Sequence, residues 1–121
     1  MNILVVDDSR VIRNIIANIL KEKNSSGNNF FEAGDGAEAL VLAKKEKIDV
    51  FFLDWNMPKM SGLELTQELR KLDQYKTIPI IMVTSEAAKY NVLEAVKAGV
   101  TEYVIKPITA KTILEKAGKY L

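Results

Sequence analysis

The chain has 121 residues, 48% hydrophobic and 27% charged, which suits one soluble domain built on a single core. It contains no cysteine and no histidine, which excludes disulfides, thiolate or imidazole metal sites, a Ser-His-Asp triad and a phosphohistidine of its own. Seventeen Lys+Arg against sixteen Asp+Glu leave a net charge of +1, too even for a nucleic-acid-binding field. The longest apolar run, Ala39–Ala43, falls far short of the roughly 18 residues of a membrane span. The sequence runs straight into ILVV without a basic leader, so a cytoplasmic protein is expected.

The first element in chain order is a strand, Ile3–Val6, short, continuous and rich in branched residues. A helix follows, with Val11, Ile12, Ile15, Ile16, Ile19 and Leu20 forming one wide apolar stripe. Its β-branched residues are poor helix formers, so packing must hold it. The polar stretch Asn24–Asn29 reads as a mobile connection to a weak edge strand, Phe30–Ala33. Asp35 with Glu38, and Ser61 with Glu64, read as capping boxes, each opening a helix of about ten residues. Val50–Leu53 and Ile80–Val83 are strands of the doubly covered kind. The spacing predicts a helix over about Ala87–Ala98, closed by Gly99, then a strand Tyr103–Ile105. A last helix, about Ala110–Tyr120, is opened by Thr109. Five strands alternating with five helices and no linker predict one α/β domain over residues 1–121. Its form would be a doubly wound parallel sheet of order 2-1-3-4-5. That order places a topological switch point between strands 1 and 3, outside whose carboxyl ends ligands bind.

Four of the five strands end in groups that bind cations or phosphoryl oxygens. Asp7 and Asp8 follow the first, Asp54 the third, Thr84-Ser85 the fourth and Lys106-Pro107 the fifth. Each alone has an ordinary explanation as a cap, a turn or a solvated lysine. Capping does not explain three carboxylates converging on a switch point. Two like charges 4 Å apart repel by about 4 kcal/mol at an effective dielectric near 20. A divalent cation removes that repulsion, and an all-oxygen donor set selects Mg²⁺, with Mn²⁺ as the alternative. Lys106 and the Thr84 hydroxyl would then hold phosphoryl oxygens, leaving Asp54 as the better nucleophile because Asp7 and Asp8 are adjacent and suited to metal.

The segments VVDDS (Val5–Ser9), EAGDGAEAL (Glu32–Leu40), FLDWNMPKMSGLEL (Phe52–Leu65), PIIMVTSE (Pro79–Glu86) and AGVTEYVIKP (Ala98–Pro107) together resemble a response-regulator receiver domain of flavodoxin-like fold. The likeness covers the entire chain and is greatest to single-domain chemotaxis regulators, through DWNMP, Glu86 and Tyr103. The resemblance implies that Asp54 accepts a phosphoryl group from a phosphohistidine on a partner kinase. It implies Mg²⁺ ligation by Asp8, Asp54 and the Asn56 backbone carbonyl, with Asp7 acting through water. Lys106 would pair with the phosphoryl group, Thr84 would move toward it, and Tyr103 would swing inward. Asn56 and Glu86 would tune dephosphorylation by water, the only turnover expected of a protein that is not otherwise an enzyme. Ala87, Lys89, Val92, Tyr103, Ile105, Ala110 and Lys116 would form a partner face. Lys106-Pro107 would be cis, and Trp55, the only tryptophan, would report on metal and phosphate.

Ser61 stands where many relatives carry Asp, which bears on partner choice rather than on the acidic pocket. A flavodoxin-type FMN binder would need a glycine- and hydroxyl-rich loop where Asp7-Asp8 stands. A haloacid-dehalogenase-type phosphatase would need an acid at position 56. With no output domain, a monomer that signals to a separate protein, foremost a flagellar motor switch, is expected. A phosphate sink, a phosphorelay intermediate and an unphosphorylated interaction module are the alternatives. Neither nucleic acid nor membrane is an expected partner.

Overall fold

The computed structural model describes residues 1–23 and 27–121. Strands β1 (Asn2–Val6), β2 (Asn29–Ala33), β3 (Val50–Leu53), β4 (Ile80–Thr84) and β5 (Glu102–Ile105) alternate with helices. The helices are α1 (Arg10–Lys23), α2 (Gly36–Lys45), α3 (Gly62–Lys71), α4 (Lys89–Ala98) and α5 (Ala110–Ala117). The strands form one parallel sheet of order β2-β1-β3-β4-β5, as the sequence predicts. Each strand shows alternate side chains to opposite faces, so one run feeds two cores. Leu4, Val6, Phe51, Leu53, Ile80 and Met82 pack with α2, α3 and α4 residues on one face. Ile3, Val5, Phe52, Ile81 and Val83 pack with Ile16, Leu20, Ile113 and Ala117 of α1 and α5 on the other. Burying each such side chain stabilises the fold by about 1.5–3 kcal/mol, which is why these runs are apolar without interruption.

The strand register aligns the carboxyl ends. Val6 lies opposite both Ala33 and Leu53, Leu53 opposite Met82, and Thr84 opposite Ile105. Backbone bonds carry the alignment one residue further, from Asp7 N–H to the Ala33 carbonyl and from Asp54 N–H to the Val6 carbonyl. Lys106 N–H likewise donates to the Thr84 carbonyl. The chemically distinctive residues therefore leave the sheet side by side.

Several local expectations need correction. Only Ile16 and Leu20 of the α1 stripe are fully buried; Ile12 and Ile19 pack partly, while Val11 and Ile15 are exposed. The stripe is wider than the area that the sheet and α5 cover. Asp35 caps α2 by accepting from Glu38 N–H, but no return bond from the Glu38 side chain is present among the described residues, so the box is half made. At Ser61 both halves form. Helix α4 starts at Lys89, not Ala87, because Ala88 occupies its N-cap in extended backbone without a side-chain cap. Helix α5 ends at Ala117, and Gly118–Tyr120 tightens into a 3₁₀ turn. The capping residue Thr109 is paired with Thr112. Of the connection expected to be mobile, Asn24–Ser26 lies outside the described residues, and Asn29 already belongs to β2.

Candidate functional site

The β1–α1 connection must turn within three residues, and Asp7 makes the turn. Its backbone N–H is held by β2, and its Oδ1 accepts from Ser9 N–H at 2.9 Å. Ser9 Oγ then accepts from Ile12 N–H and opens α1. Asp54, one residue beyond β3, accepts from Trp55 N–H at 2.7 Å through Oδ1. Lys106, one residue beyond β5, places its Nζ 3.1 Å from Asp7 Oδ2 and 3.1 Å from Asp54 Oδ2. Asp7 and Asp54 are buried, whereas Asp8 is exposed. One carboxylate oxygen from each of the three lies within 4.8 Å of the others. The Lys106–Pro107 peptide is cis, as the resemblance implies.

Burial raises the Asp7 pKa above the ordinary carboxylate value, against the Ser9 N–H and Lys106, which lower it. For Lys106, burial works toward neutrality, but the hydrogen bonds and charges of Asp54 and Asp7 outweigh it and raise the pKa. The ammonium thus stays charged and holds two carboxylates that would otherwise repel each other. With three acids, one base and only oxygen donors, the cluster fits a hard divalent cation rather than a soft one. Beside it opens a cavity of about 410 Å³ lined by Asp8, Trp55, Asn56, Met57, Pro58 and Ser61, which leaves the acid edge open on that side. Trp55 is well placed to report on occupancy.

The remaining predicted residues divide into two groups. Thr84 is fully buried under the site, and its Oγ1 accepts from Glu86 N–H at 3.4 Å. Asn56 Nδ2 donates to Glu86 Oε1 at 2.8 Å, so the two expected tuning residues meet across the lip. Tyr103 OH donates to the Glu86 backbone carbonyl at 2.6 Å. Burial, helped by the charges of Glu86 and Asp54, pushes the Tyr103 phenol up to about 12, so it remains a donor. On the expected partner face, Val92, Tyr103, Ile105 and Lys116 line a groove of about 300 Å³ with Val96. Ala87, Lys89 and Ala110 are exposed but do not line it.

Sequence reasoning missed Asn91 and Arg13. Asn91 Nδ2 donates to Glu86 Oε2 at 3.2 Å, tying α4 to the lip. Arg13 donates through Nη1 to the Asp7 carbonyl and through Nε to Glu32 at 2.9 Å. Both read in the sequence as ordinary polar positions of a helix, and only the fold gives them their neighbours.

Comparison with known proteins settles the family. The profile of the response regulator receiver domain matches residues 3–118. The chain belongs to the response-regulator receiver family. A chemotaxis protein CheY homolog from Campylobacter jejuni is 45% identical over 117 residues, covering 96% of this chain and 88% of that protein. The solved chemotaxis response regulator CheY4 of Vibrio cholerae superimposes with a TM-score of 0.88 at 36% identity, over 99% of this receiver and 98% of that chain. The receiver domain of sensor histidine kinase PA1611 from Pseudomonas aeruginosa is 25% identical, with a TM-score of 0.82. It covers 94% of this chain and 91% of its own, and in that protein a magnesium ion is coordinated in the active site cleft. The receiver fold and its CheY-like form are thus established for this chain. No helix among its described residues is long and apolar enough to cross a membrane.

Proposed function

We propose that this receiver takes a phosphoryl group from the phosphohistidine of a partner kinase onto Asp54, with Mg²⁺ bound by the acidic cluster. The observation that carries the reading is the convergence of Asp7, Asp8 and Asp54 within 4.8 Å, with Lys106 bridging two of them. Asp8, Asp54 and the Asn56 carbonyl would hold the metal, with Asp7 supporting it through water, and Mn²⁺ would serve as a substitute ion. A cation held there would supply positive charge to the phosphoryl oxygens.

An Asp54 oxygen attacks phosphorus, a P–O bond forms, and the P–N bond to the donor imidazole breaks with its electron pair returning to nitrogen. A carboxylate attacks without surrendering a proton, so the absence of histidine costs the step nothing. Lys106 turns from its carboxylate partners toward the new phosphoryl oxygens, and the Thr84 hydroxyl supplies another donor. Water, reaching phosphorus past Asn56 and Glu86 at the lip, later forms a new P–O bond as the aspartyl P–O bond breaks, releasing inorganic phosphate and restoring the Asp54 carboxylate. The protein is its own substrate in this hydrolysis and not otherwise an enzyme.

Phosphorylation then biases the groove formed by α4, β5 and α5, where Val92, Tyr103, Ile105 and Lys116 meet a target protein, with the exposed Ala87, Lys89 and Ala110 completing the proposed face. The relatives' chemotaxis names support a chemotaxis output; the target we propose for it is a flagellar motor switch, with a cytoplasmic monomer as the working form. A phosphate sink is the second reading, favoured by the same acid cluster if the groove proves indifferent to phosphate.

Trp55 fluorescence tests the reading. Mg²⁺ quenches it, and a small acyl-phosphate donor then changes it again; Asp54→Asn keeps the folded spectrum but loses the second change. A second change of wild-type size in that variant would remove Asp54 from its role.

A further inference from the structure

We propose that Arg13 is a positioning residue for the divalent cation, acting by fixing the peptide that joins Asp7 to Asp8. The inference rests on the acidic cluster being a metal site.

Asp7 and Asp54 are held by protein hydrogen bonds on both carboxylate oxygens. Asp8 differs. It is exposed, and among the described residues no hydrogen bond or ion pair ends on its carboxylate. Its aim is therefore set through the backbone, and the backbone on its amino side is the Asp7–Asp8 peptide. The preceding peptide is anchored through Asp7 N–H to the Ala33 carbonyl of β2. The Asp7 carbonyl is past the end of β1, and Arg13 Nη1 donates to it from the first turns of α1.

The arginine is itself held. Its side chain is only 14% exposed, and Nε donates to Glu32 Oε1 at 2.9 Å. Glu32 lies on β2 opposite Val5 of β1, so the anchor is the sheet. A planar fork satisfies two acceptors in fixed directions at once, which an ammonium on a flexible stem does not. Glu32 also cancels the guanidinium charge. The influence of Arg13 on the cation is thus geometric, and its loss should weaken binding by a factor that changes little with ionic strength.

Calorimetric Mg²⁺ titration of the full chain tests this, with urea unfolding of each metal-free variant measured alongside. Groups that orient metal ligands from behind are typically worth roughly 10- to 100-fold in affinity, and Arg13→Ala is expected at the lower end, about tenfold. Arg13→Lys, which can still reach the Asp7 carbonyl, recovers part of the loss. Glu32→Gln, which frees the arginine, gives a smaller loss. In an Asp8→Asn background Arg13→Ala adds little, because the ligand it positions is gone. Affinity of Arg13→Ala within about twofold of the parent would overturn the inference, as would an equal loss in the Asp8→Asn background. No Mg²⁺ heat from the parent protein would instead defeat the metal-site reading on which the inference stands.

Discussion

A methyl group added at Gly62 would stand 2.0 Å from the Asp54 carbonyl oxygen. Within a helix, Gly→Ala ordinarily stabilises by about 1 kcal/mol. At Gly62 the clash is with backbone rather than a flexible side chain, and overpacking of this kind costs about 1–3 kcal/mol. Gly62→Ala is therefore expected to lower the urea midpoint and to weaken Mg²⁺ quenching of Trp55, because Asp54 must shift. A midpoint at or above the parent's would contradict this contact. Tyr103 gives a pH signature. Its phenol keeps its proton to about 12 in the fold, against about 10 in the unfolded chain. The folded state binds more protons between those values, so this contribution is intact below about pH 10 and lost as pH rises toward 12. The stability difference between the parent and Tyr103→Phe should accordingly shrink above about pH 10; a difference independent of pH would refute the assignment. Asp7, Asp8, Asp54, Thr84 and Lys106 were legible in the sequence because strand ends can be located from apolar runs alone. Arg13 and Asn91 were not, because their partners lie on other elements and helix periodicity cannot reveal them.

Among the elements, α4 has the weakest start. Ala88 holds an N-cap backbone conformation with φ −64 and ψ 137 but makes no side-chain cap. A hydroxyl or carboxylate there accepts from the first-turn N–H groups and typically stabilises by about 0.5–2 kcal/mol. Ala88→Ser should raise the urea midpoint accordingly, and an unchanged midpoint would mean that Asn91 and Glu86 already hold this end. The sequence placed this helix two residues early because apolar spacing marks where a helix could run, not where its first N–H groups find acceptors. Tyr75 was silent for a related reason. It lies in the 3₁₀ turn Asp73–Tyr75 between periodic segments. Yet its ring packs edge-on against Phe51 at 5.1 Å, and its hydroxyl shares its one proton between the Ala43 and Glu46 carbonyls while accepting from Ile48 N–H. That side chain fastens the end of α2 to the core and was invisible to pattern reading.

For the molecule as a whole, the parallel sheet gathers every strand's carboxyl end on one edge, and chemistry spread over a hundred residues meets there. From that edge a hydrogen-bonded path leads outward. Asn56 and Asn91 hold the Glu86 carboxylate, Tyr103 holds its backbone carbonyl, and α4 and β5 carry the groove. Switching such an element from 1:99 to 99:1 takes about 5.5 kcal/mol of differential stabilisation, more than one hydrogen bond provides. On the proposed function, a phosphoryl group meeting a metal, Lys106 and Thr84 together would supply several such interactions at once. The most direct test is intact-mass analysis after incubation with an acyl-phosphate donor, with and without Mg²⁺. One phosphoryl adduct should form on the parent protein only when Mg²⁺ is present, map to the peptide containing Asp54, and be missing from Asp54→Asn. An adduct that forms equally well in that variant, or none on the parent with Mg²⁺ supplied, would contradict the account.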